Sequence, residues 1–266
     1  MKKTLVCILV FLLLSIEAVG CGDTVGVAGY EDSTTIRDES DTDPDGKRLA
    51  TPSDTDHFPL YAKIEEDDIY LYGMDGQGMI LHHEGTDTWF DWPGLTPRFI
   101  LPQMAYYDFD GDGIKDIAVT LYWGSGTGVS MMDLHIVKIS DNRDNPGEHP
   151  IYTDCVLPGN DAVHLVTEPI SAVLAKDGET LTVHVGGSDY EAEALSTYTF
   201  TDVIYGGGIV GFSFEGTQIR AEIGIAALYE EIAPPQFIGQ MEANVVFDGE
   251  RFFLEDYSFV FWETST

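Results

Sequence analysis

The chain has 266 residues, with 46 acidic against 13 basic side chains and a formal net charge of −33. That balance excludes nucleic acid as a natural partner, because phosphates are repelled, and it equally excludes electrostatic docking on anionic lipid. The same charge gathers divalent cations and strains the compact state by self-repulsion, which a bound cation relieves.

Met1-Lys2-Lys3 is a basic start, and Leu5 to Ile16 is an apolar run interrupted by Cys7 and Ser15. A basic n-region, an apolar h-region and small residues before a cut site make residues 1–20 a signal peptide. The run falls short of the ~20 residues that a spanning helix needs. Ala18-Val19-Gly20-Cys21 resembles a bacterial lipobox, with Ala18 where Leu is usual. The resemblance implies cleavage before Cys21 and acylation of that cysteine. The mature protein would then be exported, held on the outer face of a bacterial cell membrane, and in touch with that membrane only through its lipid. Each buried acyl CH2 contributes roughly 0.8 kcal/mol, so a multiply acylated cysteine holds firmly.

Residues 21–57 are rich in Asp, Ser, Thr and Gly and nearly devoid of large hydrophobes, the composition of a disordered acidic tether. Within it Asp41, Asp43, Asp45 and Gly46 imitate the opening of a calcium loop. Leu49 stands at the ninth position and no apolar strand flanks the segment, so it reads as linker. The chain has three cysteines. With Cys7 lost in the leader and Cys21 acylated, Cys155 is expected as a small buried hydrophobe with no intramolecular disulfide.

Residues 58–266 read as a single β-rich domain of a size that supports a real core. Ile69–Tyr72, Met79–Leu81, Ile117–Tyr122, His135–Ile139 and Leu181–Val185 have strand length and β-branched or aromatic content. Hairpin punctuation stands at Asp75-Gly76 with Gly78, at Glu215-Gly216, and at Asp248-Gly249 between Val245–Phe247 and Arg251–Leu254. Apolar spacing admits a helix only over Ala162–Ala175, interrupted by Pro169, and over Ile223–Glu231. The expected class is all-β, with antiparallel sheets in an irregular propeller-like or sandwich assembly.

Residues 108–116 read Asp-Phe-Asp-Gly-Asp-Gly-Ile-Lys-Asp. Asp108, Asp110 and Asp112 alternate, so a curling loop can turn their carboxylates toward one centre. Gly113 permits the sharp turn, the Ile114 carbonyl can add a backbone oxygen, and Asp116 closes the site. Such a set suits a hard cation, Ca2+ above all. Left without an ion, carboxylates facing one another would have raised pKa values. Val119 stands at position twelve and a strand follows, so the loop is not a helix-loop-helix EF-hand.

The stretch Gln103–Ile139 resembles a repeat of the FG-GAP/VCBS type. In that pattern a strand (Met104–Tyr107) enters a D-x-D-G-D-G-x-x-D loop. A buried strand (Ile117–Leu121), a glycine-rich turn (Gly124–Gly128) and a further strand (Asp133–Ile139) follow. The resemblance implies calcium held by Asp108, Asp110, Asp112, Asp116 and the Ile114 carbonyl, in a blade-like unit of a surface or secreted protein. A closed propeller shows several such repeats, and the globular region has this one, as in uncharacterised Gram-positive lipoproteins.

Other patterns point less sharply to chemistry. Gly124-Ser125-Gly126-Thr127-Gly128 has no following Lys and no helix pattern, so it reads as an inter-strand turn rather than a phosphate cradle. His82 and His83 are strand neighbours that face opposite ways, which keeps them from sharing a metal. Trp89-Phe90-Asp91-Trp92 alternates, with Trp89 and Asp91 on one face and Phe90 and Trp92 on the other. Trp89, Trp92 and Trp123 are candidates to stack on a sugar ring, against the plainer reading of core and edge packing. The expected function is a non-catalytic, calcium-stabilised surface module that binds an envelope protein or glycan. The alternative is an envelope hydrolase acting on glycans or peptidoglycan, with paired acids beside the tryptophans.

Overall fold

Short alternating segments build three sheets, described here from a computed structural model. It describes residues 58–262 apart from 75, 94, 95, 97, 98, 141–149, 167–169, 176, 177 and 196. The leader, Cys21 and the tether lie outside the described residues. Strands β1 (Leu60–Ile64), β2 (Ile69–Gly73), β3 (Met79–His83) and β4 (Thr86–Phe90) form an antiparallel four-stranded sheet in chain order.

The main sheet takes β5 (Gln103–Tyr107), β6 (Asp116–Gly126), β7 (Val129–Ser140) and β8 (Ile151–Leu157). After a short helical turn, α1 (Gly159–Ala162), strands β9 (Ser171–Leu174), β10 (Thr180–Val185) and β11 (Ser188–Glu193) make a three-stranded sheet ordered β11-β10-β9. The long strands β12 (Phe200–Glu215), β13 (Gln218–Tyr229), β14 (Ile232–Phe247) and β15 (Phe252–Phe261) then complete the main sheet, ordered β15-β14-β13-β12-β7-β6-β5. β7 pairs with β6 on one side. Its other side is shared between β8, antiparallel, and β12, parallel through Ile209 with Ser130 and Val210 with Met131. The protein is therefore all-β and sandwich-like, as expected.

Two cores account for the layering. Ile117, Val119, Leu121, Val137 and Tyr152 pack with Ile69, Leu71, Met79, Leu81, Phe90 and Trp92 between the four-stranded sheet and one face of the main sheet. Ala118, Leu134, Ile136, Leu157, Ile223, Met241 and Phe259 pack with Leu181, Val183 and Val185 between the opposite face and the three-stranded sheet. β6 and β7 lie between both cores, so Ile117 to Tyr122 are buried without interruption. A strand covered on both faces reads as a continuous apolar run, which is why this segment does not alternate. β10 has one covered face and alternates cleanly, with Leu181, Val183 and Val185 inside.

The first core carries polar groups. His83 is buried and its Nδ1 lies 3.0 Å from the Tyr152 hydroxyl, while His82 turns to Asp87 at 2.5 Å. The two imidazoles go to different partners on different faces, as strand geometry requires. Burial holds the His83 pKa below the ordinary histidine value and so favours its neutral form.

The three hairpin signals stand where expected, and Gly76, Gly78, Gly216 and Gly249 all adopt positive φ. Two expectations about helix are corrected. Residues 159–162 are helical and 163–165 form a single 3-10 turn, but Ser171–Leu174 is strand. Ile223 to Tyr229 belongs to β13 throughout. Cys155 is fully buried as a small core residue. It is also disulfide-bonded, which corrects the expectation that it forms no disulfide. Among the described residues no helix is long and apolar enough to cross a membrane.

Candidate metal centre

The acidic loop joins β5 to β6 and is pinned at both ends of its arc. Phe109 packs on the core beneath the three-stranded sheet, and Ile114 packs on the core beneath the four-stranded sheet. Asp116 opens β6 opposite Tyr107. Between these anchors the chain turns through Gly111 and Gly113, at φ +77° and +90°, where a side chain would be strained.

The loop's own N–H groups orient the carboxylates. Asp108 accepts from Gly111 N at 2.7 Å and from Gly113 N at 3.0 Å. Asp110 accepts from Asp112 N at 3.1 Å, and Asp112 accepts from Ile114 N at 2.8 Å. Asp116 Oδ2 accepts from Phe109 N at 3.2 Å. Asp108, Asp110 and Asp116 each bring a carboxylate oxygen into a group whose members lie within 4.8 Å of one another. The Asp112 carboxylate turns to the Ile114 N–H and is not among these three.

Asp116 is the telling member. It is 1 % exposed, and its Oδ1 has no hydrogen-bond partner among the described residues. Burial first, then repulsion from Asp110 and Asp112, pushes its pKa up to about 7 against the pull of the Phe109 N–H and Lys138. A buried carboxylate oxygen left without a partner is costly. The donor set is hard oxygen alone, and a Ca2+-type ion fits it: Asp108, Asp110 and Asp116 would hold the ion.

Two residues that the sequence pattern did not assign to this site complete the surroundings. Lys138 on β7 places its Nζ 2.6 Å from Asp110 Oδ2, whose side chain is 2 % exposed. Burial works against the ammonium, but Asp110 and the neighbouring aspartates outweigh it and raise the Lys138 pKa. Gly249, in the β14–β15 turn, offers its carbonyl to the same ammonium at 3.5 Å. Asp110, Asp112, Lys138, Asp248, Gly249 and Glu250 together line one open cleft.

No protein-family model, curated protein or solved structure matches this chain. The likeness of residues 103–139 to an FG-GAP/VCBS repeat therefore rests on the residues themselves.

The expected stacking residues separate in the structure. Trp92 is buried and donates to Asp154 Oδ2 at 2.7 Å, with its ring 4.3 Å from Phe90 and 4.7 Å from His135. Trp123 is half-buried beside a register shift in the β6–β7 pairing and donates to Asp133 at 2.8 Å. Trp89 is 39 % exposed and rests its Nε1 on the Gln77 carbonyl at 2.8 Å. Of the three, Trp89 has the open ring. Trp262, half-exposed beside Phe237, is a further aromatic on the outer edge that the sequence reading passed over.

Gly249 gives a direct test of this packing. Its φ is +93°, and a Cβ there would stand 3.0 Å from Asp110 Oδ2 and 3.1 Å from Lys138 Nζ. Gly249→Ala is expected to lower stability by about 1–2 kcal/mol from backbone strain alone. Urea unfolding checks it as a shift in midpoint at constant slope.

Proposed function

We propose that the chain is an exported, lipid-anchored β-protein of a bacterial envelope that works by binding, with calcium as a structural ion. The observation that carries the calcium part is the buried Asp116 carboxylate, its Oδ1 without a partner, grouped with Asp108 and Asp110. An ion there would fix the joint between β5 and β6, and through Phe109 and Ile114 both cores at once. Extracellular modules hold calcium at roughly 10⁻⁴–10⁻³ M, so the site would fill outside the cell and stand empty during synthesis.

The proposed partner is an envelope protein or a glycan, with Trp89 as the open aromatic contact. The hydrolase alternative needs two acids beside these tryptophans. Trp92 meets one carboxylate, Asp154, and Trp89 meets a main-chain carbonyl, so neither contact supplies the pair.

The calcium part is tested by the melting temperature of the purified protein in chelator and in millimolar calcium. Millimolar calcium is about 1–10 times such a dissociation constant and adds about 0.4–1.4 kcal/mol, a rise of about 1–5 °C. An unchanged midpoint would remove the calcium reading. The anchor is tested by fatty-acid labelling, which Cys21→Ser is expected to abolish. An acylated Cys21 has its sulfur in a thioether, and Cys7 leaves with the leader. The lipid reading and a Cys155 disulfide within one mature chain therefore exclude each other, and intact mass before and after reduction decides between them.

A further inference from the structure

We infer that Lys138 is a tethered competitor cation that sets the strength and the valence preference of the Asp108–Asp110–Asp116 site. The inference rests on the metal reading above and deepens it. Lys138 comes from β7, not from the loop, and its Nζ lies 2.6 Å from the nearly buried Asp110 carboxylate. The Gly249 carbonyl meets the same ammonium from the β14–β15 turn. Gly249 leaves room for this arrangement, since a Cβ there would press on both Asp110 Oδ2 and Lys138 Nζ. Two segments distant in sequence thus hold one positive charge against a metal ligand.

The charges decide what that does. Three converging carboxylates carry −3 when ionised, and the adjacent ammonium reduces the set to −2, the complement of one divalent ion. Asp112, Asp248 and Glu250 add negative charge to the lining of the same cleft. A fixed positive charge lowers the attraction of every incoming cation in proportion to that cation's own charge. Lys138 therefore weakens calcium binding, weakens trivalent binding more, and neutralises Asp110 when no metal is bound. A site built this way keeps its fold at low calcium and takes up the ion only where calcium is plentiful.

The test compares Lys138→Met and Lys138→Arg with the wild type, titrating each with calcium and separately with terbium. A charge this close is worth at least about tenfold in calcium affinity, and by the ratio of valences about thirtyfold for terbium. The methionine variant is expected to show both gains, together with a lower melting temperature in chelator. The arginine variant is expected to bind both ions near the wild-type level. Should Lys138→Met be too unstable without metal for calorimetry, the midpoint of its thermal shift against metal concentration reads the same ranking. Calcium bound by the methionine variant no tighter than by wild type overturns the inference, as do equal gains for the two ions. In both cases wild-type binding would leave the calcium reading standing. A wild type that binds neither ion overturns both.

Discussion

Asp116→Asn is expected to raise the melting temperature in chelator at pH 8 and to abolish the rise that calcium brings. The sign follows from linkage. The folded-state pKa of Asp116, about 7, lies above the ordinary aspartate value of 3.8. The stability associated with its proton is therefore complete below pH ~4 and is lost as pH rises through 7. A shift of that size corresponds to at most ~4 kcal/mol at pH 8. Asparagine keeps the acceptor for the Phe109 N–H and replaces the unpartnered oxygen with a donor facing Asp108 and Asp110. At roughly 2–4 °C per kcal/mol in a domain of this size, a gain of about 5–10 °C is a reasonable scale. At pH 5 both proteins carry a neutral group at position 116, and their midpoints are expected to converge. In millimolar calcium at pH 8 the order reverses or closes, because only the wild type gains the ion. Thermal melts at two pH values, with and without calcium, check all four corners. A variant less stable than wild type in chelator at pH 8 would mean that the Asp116 charge is already compensated.

This site shows which parts of the structure are written locally. The three converging carboxylates fall within nine consecutive residues, so the loop pattern finds them, although it also brings in Asp112, whose carboxylate turns to the Ile114 N–H. Lys138 and Gly249 reach the site only because β6 pairs with β7 and the β14–β15 turn folds back over Asp110. Sheet order sets those contacts, and no local pattern records it. Strand identity followed the same logic. β10 has one covered face and announces itself by alternation. In β13 the pairing register shifts between Ile225 and Ala226 and again between Ala227 and Tyr229. The shifts break the alternation and bury Ile225, Ala226 and Ala227 in succession, and the resulting apolar run from Ile223 to Tyr229 is what admitted a helix. The mistaken helix at Ile223–Glu231 is thus a bulged strand seen through its burial pattern.

Trp92→Ala is expected to cost about 3–5 kcal/mol, whereas Trp89→Ala is expected to cost no more than about 1 kcal/mol. Alternation puts these tryptophans on opposite faces of the chain, but it does not say which face is covered. The structure decides it, for Trp92 is 4 % exposed and Trp89 is 39 % exposed. Removing Trp92 empties the space between Phe90 and His135 and takes away one donor to Asp154. Asp154 keeps His135 Nδ1 at 3.0 Å, but its carboxylate then borders a cavity. Removing Trp89 gives up one hydrogen bond to a carbonyl at the protein surface. Urea unfolding of both variants reads the difference as a shift in midpoint at constant slope. The comparison also controls any search for a ligand. A Trp92 variant that fails to bind a glycan will have lost core packing as well, so its failure carries no information about stacking. A Trp89 variant that keeps the wild-type midpoint and loses binding would place the contact on the exposed ring. Retained binding by that variant would send the search to the other open aromatic edge, at Phe237 and Trp262.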